Sequence, residues 1–394
     1  MAQKNSFLTV ASIMSIFFIA MGVGTITPAL NSIMMAFPDL PISTIYLTST
    51  LPSLMVIPST IIAGMVAGSK VKFKTLASIG IILFVVAGVA PAFATDNFTL
   101  ILIERAVFGI GLGIISPIGN ALILGLYEGD TRAKLLGMGT VMMNVGGIIL
   151  QFLGGFMAGI AWNYAFYPHA LGILSLILVI FFLPEPESIE HPEGVEKPKA
   201  TIPGKVWLVS ILFGSLMFVS YPLLMGMSSF LVLKELGDAT AAAVVLSFFT
   251  VGGMIAGAIF STVFKIAKRF TIAVALLTLA LGFVLVLYTG SFILVTVGTA
   301  LVGVGFSLLM PAVFMIVGML ADPPSIPICS SVVLAVMNAF AFVSTYWIQM
   351  IGNITGDPLV MPMFVGMIMA AVAGVIFLFI DPFPKMDAPP PPQE

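Results

Sequence analysis

Two adjacent ionisable residues, Glu104 and Arg105, open an otherwise uncharged stretch that runs to Glu128. This stretch is long enough to cross a membrane as one helix, which takes about 20 residues. A charge inside a spanning helix is costly unless it is paired or hydrated, so by default it marks a pathway for a solute or an ion. We therefore expect Arg105 to bind an anionic group of a solute or to tune the proton affinity of a nearby carboxylate. Bonding of Arg105 to backbone carbonyls is the purely structural alternative.

Further polar residues share one face of this predicted helix. At about 100° per residue, Arg105, Ser116 and Asn120 project within roughly 60° of one another. This arrangement predicts one wall of a solute pathway. Glu104 projects about 100° away from Arg105, so the two side chains need not pair. We predict Glu104 as a proton carrier, with a place at the level of the lipid headgroups as the alternative.

Polar side chains also interrupt other apolar stretches. Asn144 and Gln151 are seven residues apart and share a helix face. They either line a pathway or join helices through hydrogen bonds worth about 0.6 to 2 kcal/mol. The predicted solute-binding residues are Arg105, Asn31, Ser116, Asn120, Asn144, Gln151, Tyr221, Asn338 and Gln349, and those predicted to couple protons are Glu104 and Arg105.

The composition excludes a water-soluble protein. Hydrophobic residues make up 60% of the 394 residues and charged residues only 8%, whereas soluble domains carry about 25% charged residues. The net charge of −2 gives no reason to expect a nucleic-acid partner. Neither His169 nor His191 has a metal-binding or nucleophilic partner in the sequence. No phosphate-binding loop occurs either, so we expect a gradient as the energy source and predict no enzyme activity, metal or cofactor.

Stretches without charge give the number of membrane crossings. Eight of them are long enough for one helix each. Two more, Lys134 to Glu185 and Arg269 to Asp322, are about twice as long and must each hold a helical hairpin, turning near residues 162–164 and 289–291. The sum predicts an all-α integral membrane protein with twelve transmembrane helices.

Basic residues indicate the orientation. With the N-terminus in the cytoplasm, the 15 Lys and Arg residues fall on the cytoplasmic side, apart from Lys234 outside and Arg105 within the membrane. Short cytoplasmic loops carry such an excess of Lys and Arg. We therefore expect both termini to be cytoplasmic.

The two halves of the chain repeat each other at a constant offset of 194 residues, and a Pro- and Glu-rich segment separates them. Such a segment cannot bury a core and reads as a linker. In this register Gly109, Gly111 and Pro117 correspond to Gly303, Gly305 and Pro311. The predicted domains are an N-terminal six-helix bundle (1–183), a cytoplasmic linker (184–204), a C-terminal six-helix bundle (205–384) and a disordered tail (385–394).

Three motifs resemble those of the major facilitator superfamily. The arginine and glycines of Arg105-x-x-x-Gly109-x-Gly111 resemble its fourth-helix motif. The loop from Gly64 to Lys74 is similar to the motif between its second and third helices, although Gly68 stands where that motif has aspartate. In the fifth helix, the motif of its drug and proton antiporters is matched by Gly139, Gly146, Gly154 and Gly155, while Leu150-Gln151 replaces the central Gly-Pro.

This resemblance covers the whole chain and implies two pseudo-symmetric six-helix bundles around a central site. It also implies a secondary active transporter in the cell membrane that moves a small amphipathic or weakly anionic organic solute by alternating access. We expect proton-coupled efflux by a monomer, with the solute, protons or another coupling ion, and the lipid bilayer as partners. The alternative is an organic-anion uptake or exchange carrier without obligatory proton coupling. A receptor that kept the fold without transport is a third reading.

Overall fold

The computed structural model describes residues 7–68, 70–186, 201–322 and 325–383. Within these ranges eleven helical stretches are long and apolar enough to cross a membrane. One of them, Ala239–Tyr288, is divided by the 3₁₀ turn Lys268–Phe270 into two helices, which gives twelve segments, and the predicted all-α membrane fold is confirmed. In chain order they are α1 (Phe7–Ala36), α2 (Ile42–Val66), α3 (Phe73–Ala92), α4 (Phe98–Leu126), α5 (Gly129–Ala158), α6 (Trp162–Phe182), α7 (Gly204–Leu233), α8 (Ala239–Ala267), α9 (Thr271–Tyr288), α10 (Phe292–Leu320), α11 (Ile326–Thr355) and α12 (Val360–Phe379).

Two of these segments contain a long stretch of 3₁₀ geometry, of 8 and 10 residues. In α1 this stretch is Gly22–Ala29, which contains Pro28, and α6 begins as the 3₁₀ segment Trp162–Leu171. Proline lacks the N–H of an α-helical bond, and 3₁₀ turns use tighter, poorer bonds. Backbone carbonyls in these segments are therefore available to side chains from other helices.

Glycines on α4 allow close contact with two neighbouring helices. A β-carbon at Gly109 would lie 2.5 Å from the carbonyl oxygen of Pro52 in α2. One at Gly111 would lie 2.8 Å from the backbone nitrogen of Phe84 in α3. Small residues at such positions let helix backbones approach in a membrane. The glycines of the fourth-helix motif therefore serve helix packing.

The second half repeats this packing. A β-carbon at Gly303 of α10 would overlap the carbonyl oxygen of Phe249 in α8, and one at Gly305 would lie 2.5 Å from that of Ala275 in α9. Helices α8 and α9 stand six helices after α2 and α3. The offset of 194 residues in the sequence thus corresponds to the same helix contacts in both halves.

The loop between α2 and α3 is organised by a carboxylate from elsewhere in the chain. Gly68 has φ +71°, a left-handed conformation that glycine adopts without strain. Glu185 accepts hydrogen bonds from the backbone N–H groups of Phe73 (2.6 Å) and Lys74 (3.0 Å), the first residues of α3. A carboxylate at a helix N-terminus is stabilised by the unpaired N–H groups there. Glu185 therefore supplies a negative charge beside a loop that lacks the motif's aspartate.

The described chain divides into two compact units. The first holds α1 to α6 together with Leu223–Ser247 and Ala341–Leu359, and the second includes Phe248–Phe340 and the chain from Val360 onwards. The domain boundaries drawn from the sequence remain predictions. Residues 187–200 of the linker and the whole predicted tail lie outside the described residues.

Candidate functional site

Arg105 is fully buried within the first unit, about two turns after the helix start set by Asn97. The side chain of Asn97 accepts a bond from Leu100 N–H (3.0 Å). Its Nε donates to the carbonyl oxygen of Thr48 in α2 at 2.7 Å. Its guanidinium carbon lies 4.1 Å from the ring centroid of Phe108, a cation–π distance. Arg105 thus has one backbone partner and one aromatic wall.

The two terminal nitrogens of Arg105 are less well satisfied. Nη1 and Nη2 are buried and have no hydrogen-bond partner among the described residues. A guanidinium carries five N–H donors in a planar fork that matches a carboxylate, and a buried cation without such partners is costly. This arrangement can therefore accept a planar anionic group.

His169 completes the surroundings of Arg105. Its ring centroid is 4.8 Å from that of Phe108, so Phe108 contacts both the guanidinium and the imidazole. Nδ1 lies 2.8 Å from the carbonyl oxygen of Phe166 and Nε2 lies 3.2 Å from that of Gly22, in the 3₁₀ part of α1. A neutral imidazole has one N–H and can donate to only one of these carbonyls, whereas the imidazolium donates to both.

The sequence did not indicate that His169 packs beside Phe108 and bonds to backbone carbonyls of α1 and α6. Its only signal is that an ionisable residue lies within a spanning segment, which by itself suggests function. Its partner Gly22 is 147 residues away in the chain, and no spacing rule connects them. Gly88 also belongs to this packing, because a β-carbon there would lie 2.7 Å from Cβ of His169.

Glu104 stands apart from Arg105. Its side chain is half-buried, and its Oε2 is buried without a hydrogen-bond partner among the described residues. An unpaired buried carboxylate oxygen is less costly when the group is neutral. Glu104 can therefore carry a proton, and that role remains a prediction.

The polar face predicted for α4 changes its exposure along the helix. Arg105 is buried under α2, but Ser116 and Asn120 are exposed. The hydroxyl of Ser116 donates to the carbonyl oxygen of Leu112 at 2.8 Å. The C-terminal half of α4 thus offers accessible polar groups on the same face as Arg105.

On α5 the predicted polar residues differ in their surroundings. Asn144 is half-buried and donates to the carbonyl oxygen of Thr140 in its own helix (2.9 Å). Gln151 is buried, with its amide nitrogen 4.0 Å from the position of a β-carbon at Gly24 in α1. Gln151 therefore lies at the α1–α5 contact, where it can join helices or meet a solute.

The glycines of the fifth-helix motif form that contact. β-Carbons at Gly146 and Gly154 would overlap the carbonyl oxygens of Phe18 and Thr25 in α1. One at Gly155 would lie 2.7 Å from the carbonyl oxygen of Ala239 in α8, within the same compact unit. The motif thus packs α5 against α1 and α8 without its central Gly-Pro.

The remaining predicted residues are distributed over both units. Asn31 and Gln349 lie in the first unit, where Asn31 donates weakly to the sulfur of Met35 (3.8 Å). Tyr221 and Asn338 lie in the second unit, and Asn338 donates to the carbonyl oxygen of Leu334 in its own helix (2.9 Å). All four side chains are half-buried. Their roles in binding stay predictions.

α11 also contributes a contact that the sequence did not indicate. The hydroxyl oxygens of Thr50 in α2 and Thr345 in α11 are 2.7 Å apart, and both side chains are fully buried. Both residues belong to the first compact unit. Within the described residues, no three His, Cys, Asp or Glu side chains are placed to hold a metal ion.

Comparisons with known proteins agree with this architecture. A family model described as Major Facilitator Superfamily matches residues 12–327. The quinolone resistance protein NorA of Staphylococcus aureus (strain MSSA476) is 26% identical over 312 residues, which cover 76% of this chain and 78% of NorA. Two solved structures share the fold. A bacterial homologue of the human lysosomal transporter Spinster has a TM-score of 0.69 and 17% identity, and the match covers 95% of this chain and 94% of the homologue. A D-xylose-proton symporter has a TM-score of 0.71 and 14% identity, and the match covers 94% of this chain and 96% of the symporter.

Proposed function

This chain belongs to the major facilitator superfamily and is a multi-pass transporter of the cell membrane; from that premise we propose that it exports a weakly anionic, amphipathic organic solute in exchange for protons. NorA, the relative named above, is called a quinolone resistance protein. Quinolones are amphipathic aromatic molecules that carry a carboxylate. They are therefore suitable probes of the proposed solute class.

One observation carries the proposal. Arg105 is fully buried and keeps two guanidinium nitrogens without a partner, while its other face rests on Phe108. A carboxylate can take both free nitrogens in a bidentate pair, and a flat apolar ring can pack on aromatic side chains. The solute class follows from this combination of one cation and apolar walls.

Access to Arg105 requires movement of the helices. α2 covers the guanidinium through the Thr48 carbonyl, whereas Ser116 and Asn120 on the same face of α4 are exposed. In the proposed cycle a solute approaches along these exposed groups and reaches Arg105 when α2 and α4 separate at their glycine-lined contact. This local opening is proposed in addition to the movement of one bundle against the other by which the fold alternates access.

Glu104 supplies the proposed proton site. Its Oε2 is buried without a partner among the described residues, one position before Arg105. Binding of a solute anion at Arg105 and of a proton at Glu104 would each lower the cost of a buried charge. In the proposed cycle the solute anion is bound during the outward step and the proton during the return step, and this alternation links export to the proton gradient.

The test is quinolone flux in proteoliposomes that contain the full-length protein. Arg105→Gln removes the bidentate donors, and hydrogen bonds to charged groups are worth about 1.5 to 3 kcal/mol, so flux should fall roughly 10-fold or more. Arg132→Gln is the matched control, because that arginine donates to the carbonyl oxygens of Tyr127 and Leu124. If the Arg105→Gln protein transports the quinolone as fast as the wild type, Arg105 is not part of the solute pathway.

Two further measurements separate the parts of the proposal. The methyl ester of the same quinolone lacks the anionic group, so its flux should be low and insensitive to Arg105→Gln. A protonophore should abolish uphill export, and Glu104→Gln should reproduce that loss without changing equilibrium binding of the quinolone. Export that resists the protonophore would favour exchange of organic anions without obligatory proton coupling.

A further inference from the structure

A basic cavity of about 480 Å³ lies at one end of the second unit. It is lined by residues 264–270, where α8 passes into α9, and by Asp381 and Phe383 after α12. Phe264 packs edge-on against Phe383, with ring centroids 5.6 Å apart, so the wall joins the α8–α9 turn to the end of α12. The cavity is separate from the helices that hold Arg105.

The lining carries an excess of positive charge. Lys265, Lys268 and Arg269 are exposed cations, and Asp381 is the single acidic residue among the described residues that line the cavity. One oxygen of Asp381 already accepts the N–H of Phe383 at 2.8 Å. The guanidinium of Arg269 stacks on Phe270 at 4.6 Å, which limits its freedom. Several cations around one cavity favour a ligand with a phosphate group.

The backbone at this turn is strained. Lys268 has φ +45°, a left-handed conformation that residues with a side chain rarely adopt. Such positions concentrate at ligand-binding sites, where the surrounding structure holds them. The C-terminal end of α8 carries a partial negative charge that attracts cations, which is enough to explain the presence of Lys265 and Lys268 there. It does not account for Arg269, the cavity or the strained turn.

The rim of the cavity is apolar. Ile266 lines the cavity and is 80% exposed in the turn, and three aromatic side chains, Phe264, Phe270 and Phe383, line it as well. A water-soluble anion gains nothing from these side chains. A phospholipid gains from both features, because its phosphate meets the cations while its acyl chains cover the apolar rim.

We propose that this cavity binds the headgroup of an anionic phospholipid. The basic residues place the site on the predicted cytoplasmic face, where juxtamembrane cations attract anionic lipid with about 1 kcal/mol for each Lys or Arg. Lys265, Lys268 and Arg269 hold the phosphate, and Ile266 contacts the acyl chains. This lipid site is independent of the solute proposed for Arg105.

The test compares two triple variants of the full-length protein. One is Lys265→Gln/Lys268→Gln/Arg269→Gln. The matched control is Lys70→Gln/Lys72→Gln/Lys74→Gln, which removes the same charge from the α2–α3 loop. Thermal unfolding of each protein in detergent is followed after addition of phosphatidylglycerol, phosphatidylcholine or inorganic phosphate.

Phosphatidylglycerol should raise the melting temperature of the wild type and of the control by several degrees, since a bound ligand stabilises the native state. The variant at residues 265, 268 and 269 should lose this shift. Native mass spectrometry should show one fewer co-purified phosphatidylglycerol in that variant, a readout independent of its stability. Equal loss in both triple variants, or an equal shift with phosphatidylcholine or inorganic phosphate, would overturn the proposal.

Discussion

Gly146 lies where α1 and α5 pack closely, and replacing it by alanine should destabilise the protein. The added β-carbon would overlap the backbone carbonyl of Phe18. A backbone group cannot swing aside as a flexible side chain does, so the two helices would have to separate. Overpacking of this kind costs about 1 to 3 kcal/mol, which exceeds the gain of up to about 1 kcal/mol that alanine has over glycine in a helix.

Gly137 provides a matched control in the same helix. It is exposed, and a β-carbon there would meet nothing within 4 Å among the described residues. Gly137→Ala should therefore raise stability by up to about 1 kcal/mol, while Gly146→Ala lowers it. Thermal unfolding of the purified protein, followed by the fluorescence of its 3 tryptophans, measures both changes. A melting temperature of the Gly146→Ala variant equal to or above that of the Gly137→Ala variant would refute the reasoning.

Other contacts allow similar tests. Replacement of Thr50 and Thr345 by valine, singly and together, should give a coupling free energy of unfolding of about 0.6 to 1.7 kcal/mol in a double-mutant cycle. Additive effects of the two replacements would exclude a bond between the two hydroxyls. Glu185→Ala should cost about 0.5 to 2 kcal/mol in unfolding free energy, because α3 loses its capping carboxylate; an unchanged free energy would contradict the cap. His169→Ala and Gly88→Ala should each lower the melting temperature, because buried carbonyls lose a donor or the imidazole is displaced; melting like the wild type would contradict this packing.

Much of the fold could be predicted because a bilayer imposes a fixed length on every helix. The uncharged stretch from Arg105 to Glu128 predicts one spanning helix, and the fourth helix is observed there as Phe98–Leu126. The uncharged stretch that follows Lys134 predicts the fifth helix, yet this helix already begins at Gly129. The charged residues that marked its boundary form the first turns, because helices continue beyond the apolar layer and Asp130 suits a helix N-terminus.

Less of the candidate site than of the fold could be predicted from the sequence. A buried charge is expensive wherever it occurs, so Arg105 could be singled out from its apolar neighbours alone. Its actual partners, the Thr48 carbonyl and Phe108, depend on how α2 and α4 pack. Sequence spacing also left open whether the glycines of α4 make room for a solute or for another helix, and the contacts of Gly109 with α2 show the latter.

The bond between Thr50 and Thr345 has a consequence for how the protein is made. Its two partners are 295 residues apart, and the first compact unit also needs residues 341–359. When the ribosome has delivered the first six helices, the Thr50 hydroxyl still lacks its interhelical partner. The first compact unit is therefore completed only after the eleventh helix has been inserted.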